Sequence, residues 1–275
     1  MKDIDINATL AAVATVARSA GAAILDVYHS DFAVETKEDH SPLTAADRKS
    51  HAIIRDELRR LYPDLPLLSE ESPAEEVQRR REWTRYWLVD PLDGTKEFLK
   101  RNGEFTVNIA LVEGHTAILG IVLAPVLDRL YAGALGHGAW REERGRSEPI
   151  EVAAEAASPP RVVGSRSHAG SSLTEYLTAL GPHELKPMGS SLKICLVAEG
   201  AADIYPRLGP TSEWDTAAAQ AILESAGGRM IDLVGRPLRY NTKDDLLNPY
   251  FLAFGDPRRN WLAPIRNDSG SKHRH

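Results

Sequence analysis

The chain has 275 residues, 33 Lys and Arg against 39 Asp and Glu, a net charge of −6 and 43% hydrophobic residues. That composition suits one large globular domain or two intimate halves, and it argues against a nucleic-acid polymer as partner, which would need a basic surface. A small phosphate ester remains allowed, because a metal can supply the local positive charge.

The single cysteine, Cys195, cannot form an internal disulfide, which predicts a reducing, cytoplasmic compartment. It lies in the apolar run Ile194-Cys195-Leu196-Val197, as a buried structural thiol would. The acidic start, Met1-Lys2-Asp3-Ile4-Asp5, lacks the basic region of a signal peptide. No apolar run approaches the ~20 residues of a membrane span, so no transmembrane segment is expected; peripheral attachment to the inner face of the membrane is left open, as is oligomeric state.

In chain order, apolar residues at Leu10, Val13, Ala17, Ala20, Ile24 and Val27 predict a helix over 6–28, followed by a strand at 32–36. Thr44 and Asp47 have the spacing of a capping box, opening a helix to about Leu61. A short apolar run, 65–69, ends in Glu70 and Glu71; 74–82 reads as a solvated helix or loop. The central stretch is Trp87-Leu88-Val89-Asp90-Pro91-Leu92-Asp93-Gly94-Thr95, a buried strand that breaks into a turn. A helical turn at 96–101, strands at 105–111, 116–124 and 129–135, and a polar hairpin at 138–152 follow. The alanine- and proline-rich segment 153–160 reads as a linker. It divides an N-terminal α+β half, 1–157, from a C-terminal α/β half, 158–265, with 266–275 a polar tail. The second half predicts strands at 161–163, 202–206, 229–233 and 249–254 and helices at 171–180, 191–199 and 215–226, with Gly227-Gly228 closing the last helix.

Buried strands rarely end in carboxylates, because an ionised carboxylate away from water needs a partner. Asp90 and Asp93 therefore call for a cation, and a hard divalent ion with oxygen ligands is the natural one. Glu70 and Asp215 are further acids at the end of an apolar element and at a helix start. With the Leu92 carbonyl they supply oxygens for about two or three Mg²⁺ ions that keep some water. Each also has an ordinary explanation: turn chemistry for 90–94, a first-turn acid for Asp47, an N-cap for Asp215. No Cys/His spacing suggests zinc, and neither a P-loop nor a dinucleotide fingerprint is present. Carboxylate-held metals with open water positions suit phosphoryl transfer to water. Asp47 and Thr95 are candidates to orient that water and take its proton. Gly94 allows close approach of the main chain, and Gly189-Ser190-Ser191-Leu192-Lys193, small residues followed by a lysine, suits a phosphate.

Asp90-Pro91-Leu92-Asp93-Gly94-Thr95, with Glu70-Glu71 upstream and Trp214-Asp215 downstream, resembles the inositol monophosphatase superfamily of Mg²⁺-dependent, lithium-sensitive phosphatases. Segments 37–47, Lys96-Glu97-Phe98, 100–108 and Tyr205-Pro206-Arg207 resemble its bacterial 3'(2'),5'-bisphosphate nucleotidase branch. The resemblance implies an αβαβα layered sandwich and hydrolysis of adenosine 3',5'-bisphosphate, and of its 5'-phosphosulfate form, in sulfate assimilation. It assigns Glu70, Asp90, the Leu92 carbonyl, Asp93 and Asp215 to metal, and Asp47, Thr95 and Glu70 to catalysis. It assigns Gly94, Thr95, Ser167, His168, Gly189, Lys193 and Asp215 to the nucleotide. An inositol or sugar phosphatase and, further off, a non-catalytic nucleotide-binding protein are the alternatives.

Overall fold

The computed structural model describes residues 4–30, 34–36, 42–165 and 171–265. Helix α1 (Ile6–Tyr28) is capped by Asp5, whose carboxylate accepts the Ala8 N–H at 3.0 Å. A two-stranded ribbon, β1 (Val34–Thr36) and β2 (Pro42–Thr44), leads into α2 (Ala45–Leu61). Then come β3 (Leu67–Ser69), α3 (Ala74–Arg79), a 3-10 turn (Arg80–Glu82), β4 (Arg85–Asp93) and the short α4 (Thr95–Leu99). Five antiparallel strands follow: β5 (Thr106–Glu113), β6 (Thr116–Ala124), β7 (Arg129–Ala134), β8 (Gly138–Glu143) and β9 (Arg146–Pro149). The rest of the chain gives β10 (Arg161–Ser165), α5 (Ser171–Leu180), β11 (Glu184–Met188), α6 (Leu192–Ala198), β12 (Ile204–Arg207), α7 (Glu213–Ser225), β13 (Arg229–Asp232) and β14 (Phe251–Phe254).

The larger sheet runs β3-β4-β5-β6-β7-β8-β9, and the smaller β11-β10-β12-β14-β13. One face of the larger sheet presents Trp87, Val89, Ile109, Leu111 and Ile121 to α1 and α2. Its other face presents Tyr86, Leu88, Ala110, Val122 and Tyr131 to α6 and α7, which also meet Val163, Tyr205, Phe251 and Ala253 of the smaller sheet. Beyond that sheet, Val162, Ile204 and Leu252 pack with Tyr176 of α5 and with Trp261 and Leu262. The layers are thus α, β, α, β, α, as expected. Coverage on both faces explains why β5 is buried at seven consecutive positions rather than alternating. One core joins residues from both sides of 157.

Of the described helices, α1 alone is long and apolar enough by average composition to cross a membrane. That apolarity is spent on packing, since Leu10, Val13, Ala17, Ala20 and Ile24 are buried, and its outer face carries Arg18 in an ion pair with Glu142. Strand β11 has no counterpart in the sequence expectations. Its side chains are exposed at four of five positions and it contains Pro187, so it lacks both apolar alternation and a full set of ladder donors. It survives as the edge of the smaller sheet, pairing parallel with β10 alone.

Candidate active site

The site is assembled by an irregularity in β4. Asp90 stands opposite Asn108 and Asp93 opposite Thr106, so Pro91 and Leu92 together face the single residue Val107. This is a β-bulge. In a regular strand, side chains three positions apart point to opposite faces of the sheet. The extra residue cancels that: Thr106 and Asn108, two apart on β5, share a face, and Asp90 and Asp93 across from them share it too. Pro91 has no N–H to leave unpaired in the bulge, and its carbonyl accepts the Ser50 hydroxyl of α2 at 2.7 Å. The Leu92 N–H donates to Asp90 Oδ1 at 3.0 Å. Leu92 sits in the bulge between the two acids with its side chain buried. Gly94 follows with φ +91°, and a Cβ there would stand 3.3 Å from Phe105 Cα and Ser190 Cβ, so glycine is required twice over.

The other acids converge from different elements. Strand β3 runs parallel to β4 with Ser69 opposite Val89, which sets Glu70 beside Asp90 at the same sheet end. Asp47, in the first turn of α2, is buried; Thr44, its expected capping partner, has a side chain outside the described set. Thr95 is the first residue of α4. Asp215 is not the N-cap of its helix. Helix α7 starts two residues earlier than expected, Ser212 is the cap, and Asp215 at the third position completes a capping box by accepting the Ser212 N–H at 2.9 Å.

Carboxylate oxygens of Asp90, Asp93 and Asp215 lie within 4.8 Å of one another. Asp90 is buried, Asp93 and Asp215 half-buried. Burial, then the charges of Glu70, Asp93, Asp215 and Asp47, hold the Asp90 carboxyl well above the usual carboxylate range. Burial, then Asp93, pushes Asp215 up to about 7. Burial also raises Asp93, against the pull of Lys193 and of hydrogen bonds from Ser191 and Asn108. None of the three is in an ion pair with a lysine or arginine among the described residues. Three close carboxylates on a bulge, without a basic partner in contact, match the donor set of a hard divalent cation.

Asp93 and Asp215 line a cleft of about 140 Å³ together with Gly94, Lys96, Ser165, Ser190, Ser191, Lys193, Tyr205 and Arg207. Lys193 is buried at the start of α6 with Nζ 5.5 Å above the Tyr205 ring. Burial lowers its pKa to about 8 while Asp93 opposes the shift, so the ammonium is charged at neutral pH. An adjoining hollow of about 400 Å³ shares Lys96, Ser165, Tyr205 and Arg207, and adds Leu173, Leu208 and Pro210. The cleft thus mixes acidic and basic side chains, and a partly apolar hollow adjoins it.

Of the residues singled out in the sequence, Asp90, Asp93 and Asp215 come together, Glu70 and Asp47 act on Asp90 through their charges, and Gly94 and Lys193 line the cleft. Gly189 differs: its N–H donates to Glu104 Oε2 at 2.8 Å, and a Cβ would sit 2.6 Å from Glu97 Cγ, so it packs the loop rather than offering a donor. Ser167 and His168 lie outside the described residues. Arg207, Thr106 and Asn108 were not among the expected site residues. The signal for the last two is polar residues recurring at period two within an apolar strand, Thr106-Val107-Asn108-Ile109.

Residues 6–259 match the profile of the inositol monophosphatase family. The chain is similar to the 3'(2'),5'-bisphosphate nucleotidase CysQ of Escherichia coli strain K12, 54% identical over 241 residues that cover 87% of this chain and 96% of that protein. It is 55% identical over 242 residues to the protein of the same name from Salmonella typhimurium, with the same coverage. Among solved structures, CysQ from Bacteroides thetaiotaomicron, described as a bacterial member of the inositol monophosphatase family, superposes with a TM-score of 0.80 at 42% identity, covering 91% of this chain and 98% of that one.

Proposed function

Because the chain belongs to the inositol monophosphatase family, we propose that it is a Mg²⁺-dependent 3'(2'),5'-bisphosphate nucleotidase. It removes the 3'-phosphate of adenosine 3',5'-bisphosphate, giving AMP and phosphate, and acts likewise on the 5'-phosphosulfate analogue, in sulfur assimilation and nucleotide recycling. The observation that carries this reading is the mixed charge of the cleft: Asp93 and Asp215 of the carboxylate cluster share its lining with Lys193 and Arg207. A monophosphate needs one cationic anchor, whereas a bisphosphate has use for both a carboxylate-held cation and the basic side chains. The Escherichia coli and Salmonella typhimurium relatives bear this activity in their names.

Asp90, Asp93 and Asp215, with Glu70 and the Leu92 carbonyl, are the ligands in this reading. Bound Mg²⁺ supplies charge neutralisation of the leaving oxygen and acidification of a water. Asp47 and Thr95 orient the attacking water, and the Asp47 carboxylate takes its proton. The water oxygen bonds to phosphorus, the bond from phosphorus to the ribose 3' oxygen breaks, and that oxygen ends protonated. Lys193 and Arg207 hold the remaining phosphate, and Leu173, Leu208 and Pro210 flank the nucleoside.

The test compares kcat/KM on adenosine 3',5'-bisphosphate and on inositol 1-phosphate in Mg²⁺. Preference for the nucleotide by about 10²- to 10⁴-fold, from two cation contacts at about 1.5–3 kcal/mol each, supports the reading. Equal or better turnover of the inositol ester would overturn the substrate and leave the metal chemistry standing.

A further inference from the structure

A ring of hydrogen bonds joins Asp93 to the start of α6. The Ser191 N–H donates to Asp93 Oδ2 at 2.6 Å. The Ser191 hydroxyl donates to Asn108 Oδ1 at 2.8 Å. The Asn108 amide nitrogen points back at the same Asp93 oxygen, at 3.4 Å. Thr106 Oγ1 braces the ring from the side, 2.9 Å from Ser191 Oγ and 3.4 Å from Asp93 Oδ2. Thr106, Asn108 and Ser191 are all buried. Asp93 Oδ1 accepts no hydrogen bond from the described protein.

Two features separate this ring from ordinary packing. Ser191 occupies the N-cap position of α6, yet its side chain caps no helix N–H, as a serine there normally does. Its hydroxyl is directed into the sheet instead. Thr106 and Asn108 sit in an otherwise apolar strand, where polar groups cost free energy unless satisfied, and the bulge turns both toward the carboxylates. The sheet, the metal-ligand candidate and the loop that leads to Lys193 therefore meet at one carboxylate oxygen.

We propose that Ser191 and Asn108 are positioning residues that anchor Asp93 by Oδ2, free Oδ1 for the cation, and couple cation binding to the placement of the 189–193 loop. This rests on the reading of Asp93 as a metal ligand. A cation on Oδ1 fixes the carboxylate, and a fixed carboxylate fixes the Ser191 N–H and the turn that leads to Lys193. By linkage, an anion held by that loop tightens cation binding by the same factor.

The probe is Mn²⁺ followed by electron paramagnetic resonance, first without nucleotide and then with AMP, on wild type, Asp93→Asn, Ser191→Ala and Thr106→Val. Ser191→Ala should weaken Mn²⁺ binding about fivefold and Thr106→Val about twofold, the size of one hydrogen bond lost at a distance from the ion. AMP should tighten Mn²⁺ binding in wild type, and that enhancement should be smaller in Ser191→Ala, which keeps the N–H bond to Asp93 but loses the hydroxyl bond to Asn108 that braces it. A purely structural role would lower the melting temperature of these variants while leaving Mn²⁺ affinity and the AMP enhancement as in wild type; that result overturns the proposal. Thr106→Val keeps the side-chain shape, so it carries the test if Ser191→Ala does not fold. If wild type and Asp93→Asn bind Mn²⁺ equally, Asp93 is not a ligand, and the metal reading falls along with the coupling.

Discussion

Each acid at the site has a distinct local reason to be where it is. Asp90 accepts the Leu92 N–H in the bulge, Asp93 accepts Ser191, and Asp215 accepts Ser212. Each spends one oxygen on the backbone or a neighbour and keeps carboxylate character for the cluster. Asp90, deepest and most burdened by its neighbours' charges, should be the least replaceable. Asp90→Asn is expected to lower kcat/KM by more than the about 10- to 100-fold typical of residues that merely support ligands, and to weaken Mn²⁺ binding in a titration without substrate. Near-wild-type turnover would remove Asp90 from the metal site. These acids were legible in the sequence because they close apolar runs or open helices. Ser191 and Asn108 were not, because their roles depend on strand register and on a contact 83 residues apart.

Between elements, two joints decide the geometry. One is the bulge and the turn after it. Gly94→Ala would place a Cβ against Phe105, Glu97 and Ser190 at positive φ; the expected cost is about 1–3 kcal/mol, read as a lower denaturation midpoint, with kcat falling as Thr95 shifts. The other joint is Arg161 of β10 with Asp203 just before β12. Arg161 donates to Asp203 Oδ2 from N and Nε, at 2.7 and 3.1 Å, and from Nη2 to Oδ1 at 2.7 Å. Burial alone would raise the Asp203 carboxyl; the Arg161 bonds overcome this and hold it below its ordinary 3.8. A depressed folded-state pKa means the stabilisation is complete above that ordinary value and is lost as pH falls through the lower, folded one. Wild type should therefore exceed Asp203→Asn in stability by about 2 kcal/mol at neutral pH, with the gap closing at acid pH; urea melts from pH 7 to 3 measure it, and a constant gap would contradict the linkage. Helices with strong apolar period were readable from sequence almost to the residue, as α1 shows. Strand β11 was not, because an exposed, proline-bearing edge strand is specified by its neighbour β10 rather than by its own pattern. The bulge was equally hidden: Pro91 and Gly94 announce a break, but which face Asp93 takes depends on the partner strand.

At the scale of the molecule, α7 is the piece that ties the second half of the chain to the carboxylates carried by the first. It lies on the larger sheet at Gly120, where an added Cβ would fall 2.0 Å from the Ala218 carbonyl oxygen. Gly120→Ala must lift the helix or bend the strand, at a cost of about 3 kcal/mol. Because the same helix carries Asp215 at its first turn, the variant should also weaken Mn²⁺ binding, though Gly120 does not itself line the cleft; unchanged affinity in a folded Gly120→Ala protein would show that Asp215 is placed independently of the helix seat. The layered architecture, the family and the acids could be read from motifs spread along the chain. The basic residues of the cleft were read only in part, since Lys193 of α6 and Arg207 of β12 gain their meaning from sharing a lining with Asp93 at the end of β4.

In the proposed reading, carboxylates gathered by the bulge hold a divalent ion that drives nucleotide hydrolysis. Phosphate release from adenosine 3',5'-bisphosphate, measured as Mg²⁺ is titrated into chelator-treated wild-type and Asp93→Asn protein, tests it most directly. The account predicts no release from chelated enzyme, saturable recovery in wild type, and a large loss in Asp93→Asn. Release that is independent of Mg²⁺, or equal in the two proteins, would contradict it.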